Sequence, residues 1–293
     1  MEQELQGTAG LTAQRGNKID LIRVLLTVGI VSLHATMTDL ATSTPAFDNI
    51  TKAILFVAQV FVPLFFVISG YLFFRNVPDD PTSSWFWAKL RSRFMSLFVP
   101  FLIANCIAFV IYYATMHFFP SMISGFLGDS WKDPVFVLWK GTINLSLWFI
   151  RELIVVTILS PVIFLIVKHF RWWGVLLLGL LLVLKIGPAP FFYFSAGACL
   201  AVWKIEPVEK WLMSDSKVRV SSRAWTYFVY LYHYLLIIGI KKALVIWLKP
   251  TGTALQVGIY LATVIGTLII LTVTYALMRR IIPKITSVLV GGK

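Results

Sequence analysis

Residues 53–74 read AILFVAQVFVPLFFVISGYLFF, a run without a single charged side chain. At about 1.5 Å per residue, a helix of that length reaches roughly 33 Å, enough to cross a hydrocarbon layer about 30 Å thick. A second uncharged run, Leu255 to Met278, makes the same demand near the other end of the chain. Around them, 58% of the 293 residues are hydrophobic and 13% charged, with a mean hydropathy of +0.83. Helices of that composition are apolar on every side, which excludes a water-soluble domain. The fold class is an all-α, polytopic integral membrane bundle with the lipid bilayer as its first partner.

Eight candidate spans follow, at about 19–37, 53–74, 98–119, 146–168, 172–187, 189–203, 225–248 and 255–278. The fifth and sixth are short, and KIGPAP (185–190) between them marks a tight hairpin, since Gly187, Pro188 and Pro190 break helices. The formal charge of +13 is spread over particular segments and does not form one basic face, so no nucleic-acid partner is expected. With an even span count, the segments holding Arg15 and Lys18, Arg75 to Arg93, Lys168 to Arg171, Lys204 to Arg223, and Arg279 to Lys284 share one side. The positive-inside rule makes that side, and both termini, cytoplasmic. Residues 1–18 and 285–293 are read as tails of a single membrane domain, 19–284. The first tail lacks a signal-peptide core, so the first span is expected to target the chain. No internal repeat is visible. Cys106 and Cys199 lie in apolar runs and suggest no metal site.

Expensive residues carry the functional signal. In DLIRVLLTVGIVSLHA (20–35), Arg23 and His34 are eleven residues apart. That is about three turns plus 20°, so they share a helix face about 16 Å apart along the axis. Asp20, three residues before Arg23, is placed to pair with it. His34 either snorkels to the outer interface or serves as a general base at neutral pH. Arg151 and Glu152 lie roughly 8–9 Å inside the outer end of span four, and Lys241 and Lys242 lie at a comparable depth in span seven. Four unpaired charges there would cost on the order of 10 kcal/mol, so Glu152 is expected to pair with one of the lysines. That pair is either an assembly clamp or, beside Trp148, part of a substrate site. His233, among Tyr230, Tyr232 and Tyr234, reads as a hydrogen-bonded packing residue. Gly70, beside Ser69 and Tyr71, reads as a close helix contact.

IDLIRVLLTVGIVSLHA (19–35) resembles the opening of the family 3 integral membrane acyltransferases, with their D-x-x-R start and R-x10-H motif. VPLFFVISGYLF (62–73), KLRSRFMSLFVP (89–100), LWFIRELIVVTILSP (147–161), FFYFSAGACLA (191–201) and YFVYLYH (227–233) are similar to later family segments and fall in the same order. The resemblance implies transfer of an acyl group, usually acetyl from acetyl-CoA, to a hydroxyl of a carbohydrate or lipid-linked acceptor. Acetyl-CoA would be a substrate and not a permanently bound cofactor. His34 would be catalytic, with Arg23 essential and Glu152 a further catalytic candidate. The basic loop of Arg91 and Arg93 would meet the polyanionic donor, unless it only sets topology. Trp148, Arg151, His233, Lys241 and Lys242 would be acceptor-binding or structural. Localisation would be the inner membrane of a bacterium. Two departures stand out. The family commonly has ten spans, with a helix pair where this chain has about twenty polar residues between Trp203 and Trp225. Its R-x-x-R pattern is also replaced here by Arg91-x-Arg93. A glycan transporter or flippase, or a catalytically silent scaffold, is the competing reading.

Overall fold

A computed structural model describes residues 18–36, 43–118, 139, 144–214 and 223–292, and every regular element among them is helical. The helices are α1 (Lys18–His34), α2 (Pro45–Ala58), α3 (Phe61–Phe74), α4 (Ser83–Arg93) and α5 (Val99–Phe118), then α6 (Trp148–Ile158), α7 (Ser160–Val183) and α8 (Ala189–Val202). After them come α9 (Glu206–Met213), α10 (Arg223–Leu248), α11 (Thr253–Ile281) and α12 (Pro283–Leu289). Five stretches are long and apolar enough by residue count to cross a membrane: 45–74, 83–118, α7, α10 and α11, although α7 reverses at Arg171 and is not one straight helix. α1 and α8, with 17 and 14 residues, are shorter. The chain is a multi-pass membrane bundle.

Prolines decide where the long runs bend. The second span begins earlier than 53, at Pro45, because Thr44 caps the helix by accepting from the Phe47 N–H and Pro45 fits its first turn. It breaks at Gln59 and Val60, where Pro63 supplies no N–H to the turn before it. Pro100 has the same effect in the third span. The turn before it loosens into a π-helix over Phe94–Phe98, with the Val99 N–H bonded to the Phe94 carbonyl. The segment read as a basic loop, 89–93, is therefore the end of helix α4. It continues through the π turn into α5 as one 36-residue rod.

The fourth span, read as 146–168, is divided. A 3-10 turn (Leu145–Leu147) leads into α6, which stops at Leu159. α7 then starts ahead of Pro161 and folds back at Arg171, whose φ of 51° lies in the left-handed region. A Cβ on Gly174 would lie 2.7 Å from Ile166 Cγ2, although eight residues of straight helix would separate the two by about 12 Å. The expected basic loop is thus a single-residue reversal, and the Arg171 guanidinium lies 3.9 Å from the centre of the Trp203 ring. The KIGPAP hairpin forms as read. Lys185 takes positive φ, and the Ile186 and Gly187 N–H groups cap the Leu181 carbonyl at 2.9 and 3.1 Å.

Close approach holds α3 to α8. A Cβ on Gly70 would strike the Phe194 carbonyl, and one on Gly197 the Val67 carbonyl, as small residues at membrane helix contacts allow. Phe66, Phe73, Phe74, Phe101 and Phe194 fill the surrounding core. Between Trp203 and Trp225 stands the eight-residue α9; residues 215–222 lie outside the described part. The tail boundary at 285 falls inside α12, whose following Gly291 abuts the Ser96 carbonyl.

Candidate functional site

α1 and α10 lie side by side and run in the same direction, since Asp20 meets Arg223 at their starts and His34 meets His233 farther along. Asp20 and Thr27 on α1 are buried, and Arg23 and His34 on the same side are partly buried. The shared face read from the eleven-residue spacing is thus turned into the protein. Thr27, one turn after Arg23, buries a hydroxyl that has no partner among the described residues.

The Asp20 end is a charge cluster. Asp20 Oδ1 accepts from Arg23 Nη1 at 3.1 Å and from Arg223 Nε at 3.1 Å. One enclosed carboxylate therefore joins α1 to α10. Arg93, from the end of α4, is close enough for its charge to act on Arg23 and on Tyr227, and its guanidinium lies 5.9 Å from the Phe73 ring centre. Arg91 is exposed beside it. Both arginines line a cavity of about 630 Å³ whose other walls include Trp87, Leu90, Phe94 and Ile158. Arg23, Arg91 and Arg93 are gathered at one end of the bundle. Further ion pairs close that end. Lys168 bonds to Asp80 at 2.6 Å, Lys204 lies 3.7 Å from Asp79, and Arg75 donates to Glu209 at 3.4 Å. The Lys168 ammonium holds the Asp80 carboxyl below its ordinary pKa through a hydrogen bond and its charge. These contacts place the basic segments around 75, 168 and 204 together.

The His34 end is built differently. The His34 ring lies 5.3 Å from the His233 ring, tilted by 42°, and 5.3 Å from Tyr234, edge to face. Lys241 is near enough for its charge to act on His34, and its ammonium donates to the Thr36 carbonyl at 3.2 Å. His233 is fully enclosed. Its Nδ1 donates to the carbonyls of Val229 and Tyr230, while its Nε2 has no partner among the described residues. The start of α6 is tied alongside. Tyr230 donates its hydroxyl to the Ser146 carbonyl at 2.5 Å, and Asn144 donates its amide to the Leu231 carbonyl at 2.8 Å.

Glu152 departs from expectation. Its ion pair is with Arg151, which donates to Oε1 from Nε at 3.1 Å and from Nη2 at 2.8 Å, and also to the Trp139 carbonyl at 3.2 Å. Among the described residues no ion pair joins Glu152 to Lys241 or Lys242. The physical reason is proximity: a guanidinium one residue away satisfies the carboxylate without bridging two helices. Trp148, at the first turn of α6, and Lys242 are exposed. Sequence reasoning missed the His34–His233 contact and the role of Arg223. Neither pairing has a spacing signal, because the partners lie on different helices. Asn144, an amide beside the apolar start of α6, was the one visible hint of a buried polar junction.

Residues 17–213 match a family described as an acyltransferase domain, the acyltransferase 3 family. The succinoglycan biosynthesis protein ExoH of Rhizobium meliloti (strain 1021) is 31% identical over 205 residues, which cover 61% of this chain and 52% of ExoH. The chain therefore spans about half the length of that curated relative. No solved structure gives a significant match.

Proposed function

The chain belongs to the acyltransferase 3 family, and on that premise we propose that it moves an acyl group, acetyl in the simplest case, from acyl-CoA to a hydroxyl of a cell-envelope polysaccharide or its lipid-linked precursor. The observation that carries this reading is the division of labour along α1 and α10. A guanidinium cluster suited to phosphates stands at one end, and a pair of neighbouring imidazoles stands at the other. Arg91 and Arg93 offer forked donors to the phosphates of coenzyme A. The Arg23–Thr27–His34 face is the route that the slender pantetheine arm would take from the arginines to the histidines.

At the far end His34 removes the proton of the acceptor hydroxyl as its oxygen attacks the thioester carbonyl. The C–S bond breaks, and the thiolate leaves as coenzyme A, taking up the proton. A route in which His34 carries the acyl group first uses the same geometry. The donor would be cytoplasmic, and the membrane the inner membrane of a bacterium. An acceptor of polysaccharide class is supported by the name of ExoH, a succinoglycan biosynthesis protein.

The experiment is thiol release from acetyl-CoA by the purified full chain, with and without polysaccharide or lipid-linked oligosaccharide. Acceptor-dependent release with an ester on the acceptor upholds the reading. Movement of the glycan across a vesicle without thiol release would make the protein a transporter, and neither activity would make it a scaffold.

A further inference from the structure

Nδ1 of His233 faces two backbone carbonyls, Val229 at 3.1 Å and Tyr230 at 2.8 Å. Carbonyls only accept, so Nδ1 carries the proton, and Nε2 of the neutral ring is left with a lone pair. That nitrogen is enclosed and has no partner among the described residues. A buried acceptor without a donor is costly, and buried orphans of this kind call for a specific explanation.

The ring beside it is His34, with centroids 5.3 Å apart. Two imidazoles joined by an N–H···N bond of about 2.9 Å have their centroids about 5 Å apart, so the spacing of the two rings suits such a bond. His34 is the last residue of α1 and is only partly buried. The other groups around the pair are engaged elsewhere. Tyr230 packs its ring 5.7 Å from His233 but donates its hydroxyl to Ser146, and the Lys241 ammonium bonds to the Thr36 carbonyl. Tyr234 presents its ring to His34 on another side.

We infer that His233 is a positioning residue: its Nε2 accepts the N–H of His34, fixing the His34 tautomer so that the lone pair of the other nitrogen faces the acceptor hydroxyl. The arrangement follows the general logic of a base oriented by a third group. Here the orienting group is a neutral imidazole locked by its own helix. The geometry stands on the structure, and its catalytic consequence rests on the acyl-transfer reading above. Without the lock, His34 divides between tautomers and orientations. Turnover then falls while donor and acceptor binding stay the same.

The test uses the full chain in lipid nanodiscs, with steady-state transfer from acetyl-CoA and ¹⁵N spectra of its four histidines. His233→Phe keeps a ring and removes the acceptor, whereas His233→Gln offers an amide oxygen in its place. Expected for His233→Phe are a kcat lower by about 100-fold, KM values within about twofold for both substrates, and a His34 signal averaged between tautomers. His233→Gln should recover part of kcat and restore the single tautomer of the wild type. An unchanged His34 tautomer in His233→Phe, or a raised KM with kcat kept, overturns the inference. Should His233→Phe fail to insert, the wild-type spectrum decides: one tautomer protonated towards His233 upholds the inference, and a mixture overturns it. If no transfer is found with any acceptor, the acyl-transfer reading falls while the spectrum still judges the pairing.

Discussion

The two ends of the α1–α10 pair solve the problem of polar groups inside a membrane protein in opposite ways. At the Asp20 end the carboxylate is answered: one oxygen serves Arg23 and Arg223, neighbouring ion pairs close the rim, and Arg91 and Arg93 stand beside them as further cations. At the His34 end an enclosed ring nitrogen is left unanswered, among the described residues, beside a second imidazole. Satisfied clusters fix helices and bind counter-charges. Unsatisfied ones keep chemical capacity, and intramembrane ionisable groups of that kind mark function. Under the proposed acyl transfer, the first end would serve assembly and donor binding and the second proton transfer.

The sharpest way to break that contrast is His34→Ala. General-base loss should lower kcat by about 10²–10⁴-fold, while insertion and thermal stability in detergent match wild type. A stability loss in proportion to the lost activity would erase the distinction between the ends. At the opposite end Asp20→Asn should act on stability first. It strands two guanidinium groups, one of them largely exposed, so about 2–3 kcal/mol is expected, below the range for fully buried pairs. Thermal unfolding in detergent measures it, and Arg223→Gln placed on top of Asp20→Asn should recover part of the loss. Full additivity would show that Asp20 and Arg223 are not coupled.

Much of this arrangement was legible in the chain, and the limits have physical causes. Helix periodicity alone puts Arg23 and His34 on one face and Asp20 within reach of Arg23, because those relations are local. Asp20 meets Arg223 across a separation of 203 residues, and His34 meets His233 from another helix, so no spacing rule could find either contact. Counting residues inward from a span end gives depth but not direction around the axis. That is why Glu152 was matched by depth to Lys241 and Lys242 while its partner is Arg151. Pro100 was read as opening a helix. In the fold it loosens a helix already running through Arg91 and Arg93, since a proline can be absorbed by a π turn. Arg171 shows the converse: a basic cluster read as a loop can be a reversal of one residue.

A smaller effect sharpens the donor side. Arg91→Ala combined with Arg93→Ala should raise the KM for acetyl-CoA by about tenfold and leave kcat at saturating donor nearly unchanged, because contacts made equally in ground and transition states affect binding alone. Steady-state kinetics over a range of donor concentrations would reveal it, and an unchanged KM would return those arginines to setting topology. The smallest effect belongs to the rim. Asp80 is fully exposed, so Asp80→Asn should leave thermal stability and turnover within experimental scatter of wild type despite its short bond to Lys168. A clear loss in either assay would mean that the 75–82 segment does more than close the end of the bundle.

The separation of the two ends is tested most directly by equilibrium binding of a non-hydrolysable acyl-CoA analogue to the wild type, to His34→Ala, and to the Arg91→Ala, Arg93→Ala double variant. The account predicts wild-type affinity for His34→Ala and affinity about tenfold weaker for the arginine variant. Loss of donor binding in His34→Ala, or undiminished binding in the double variant, would contradict it.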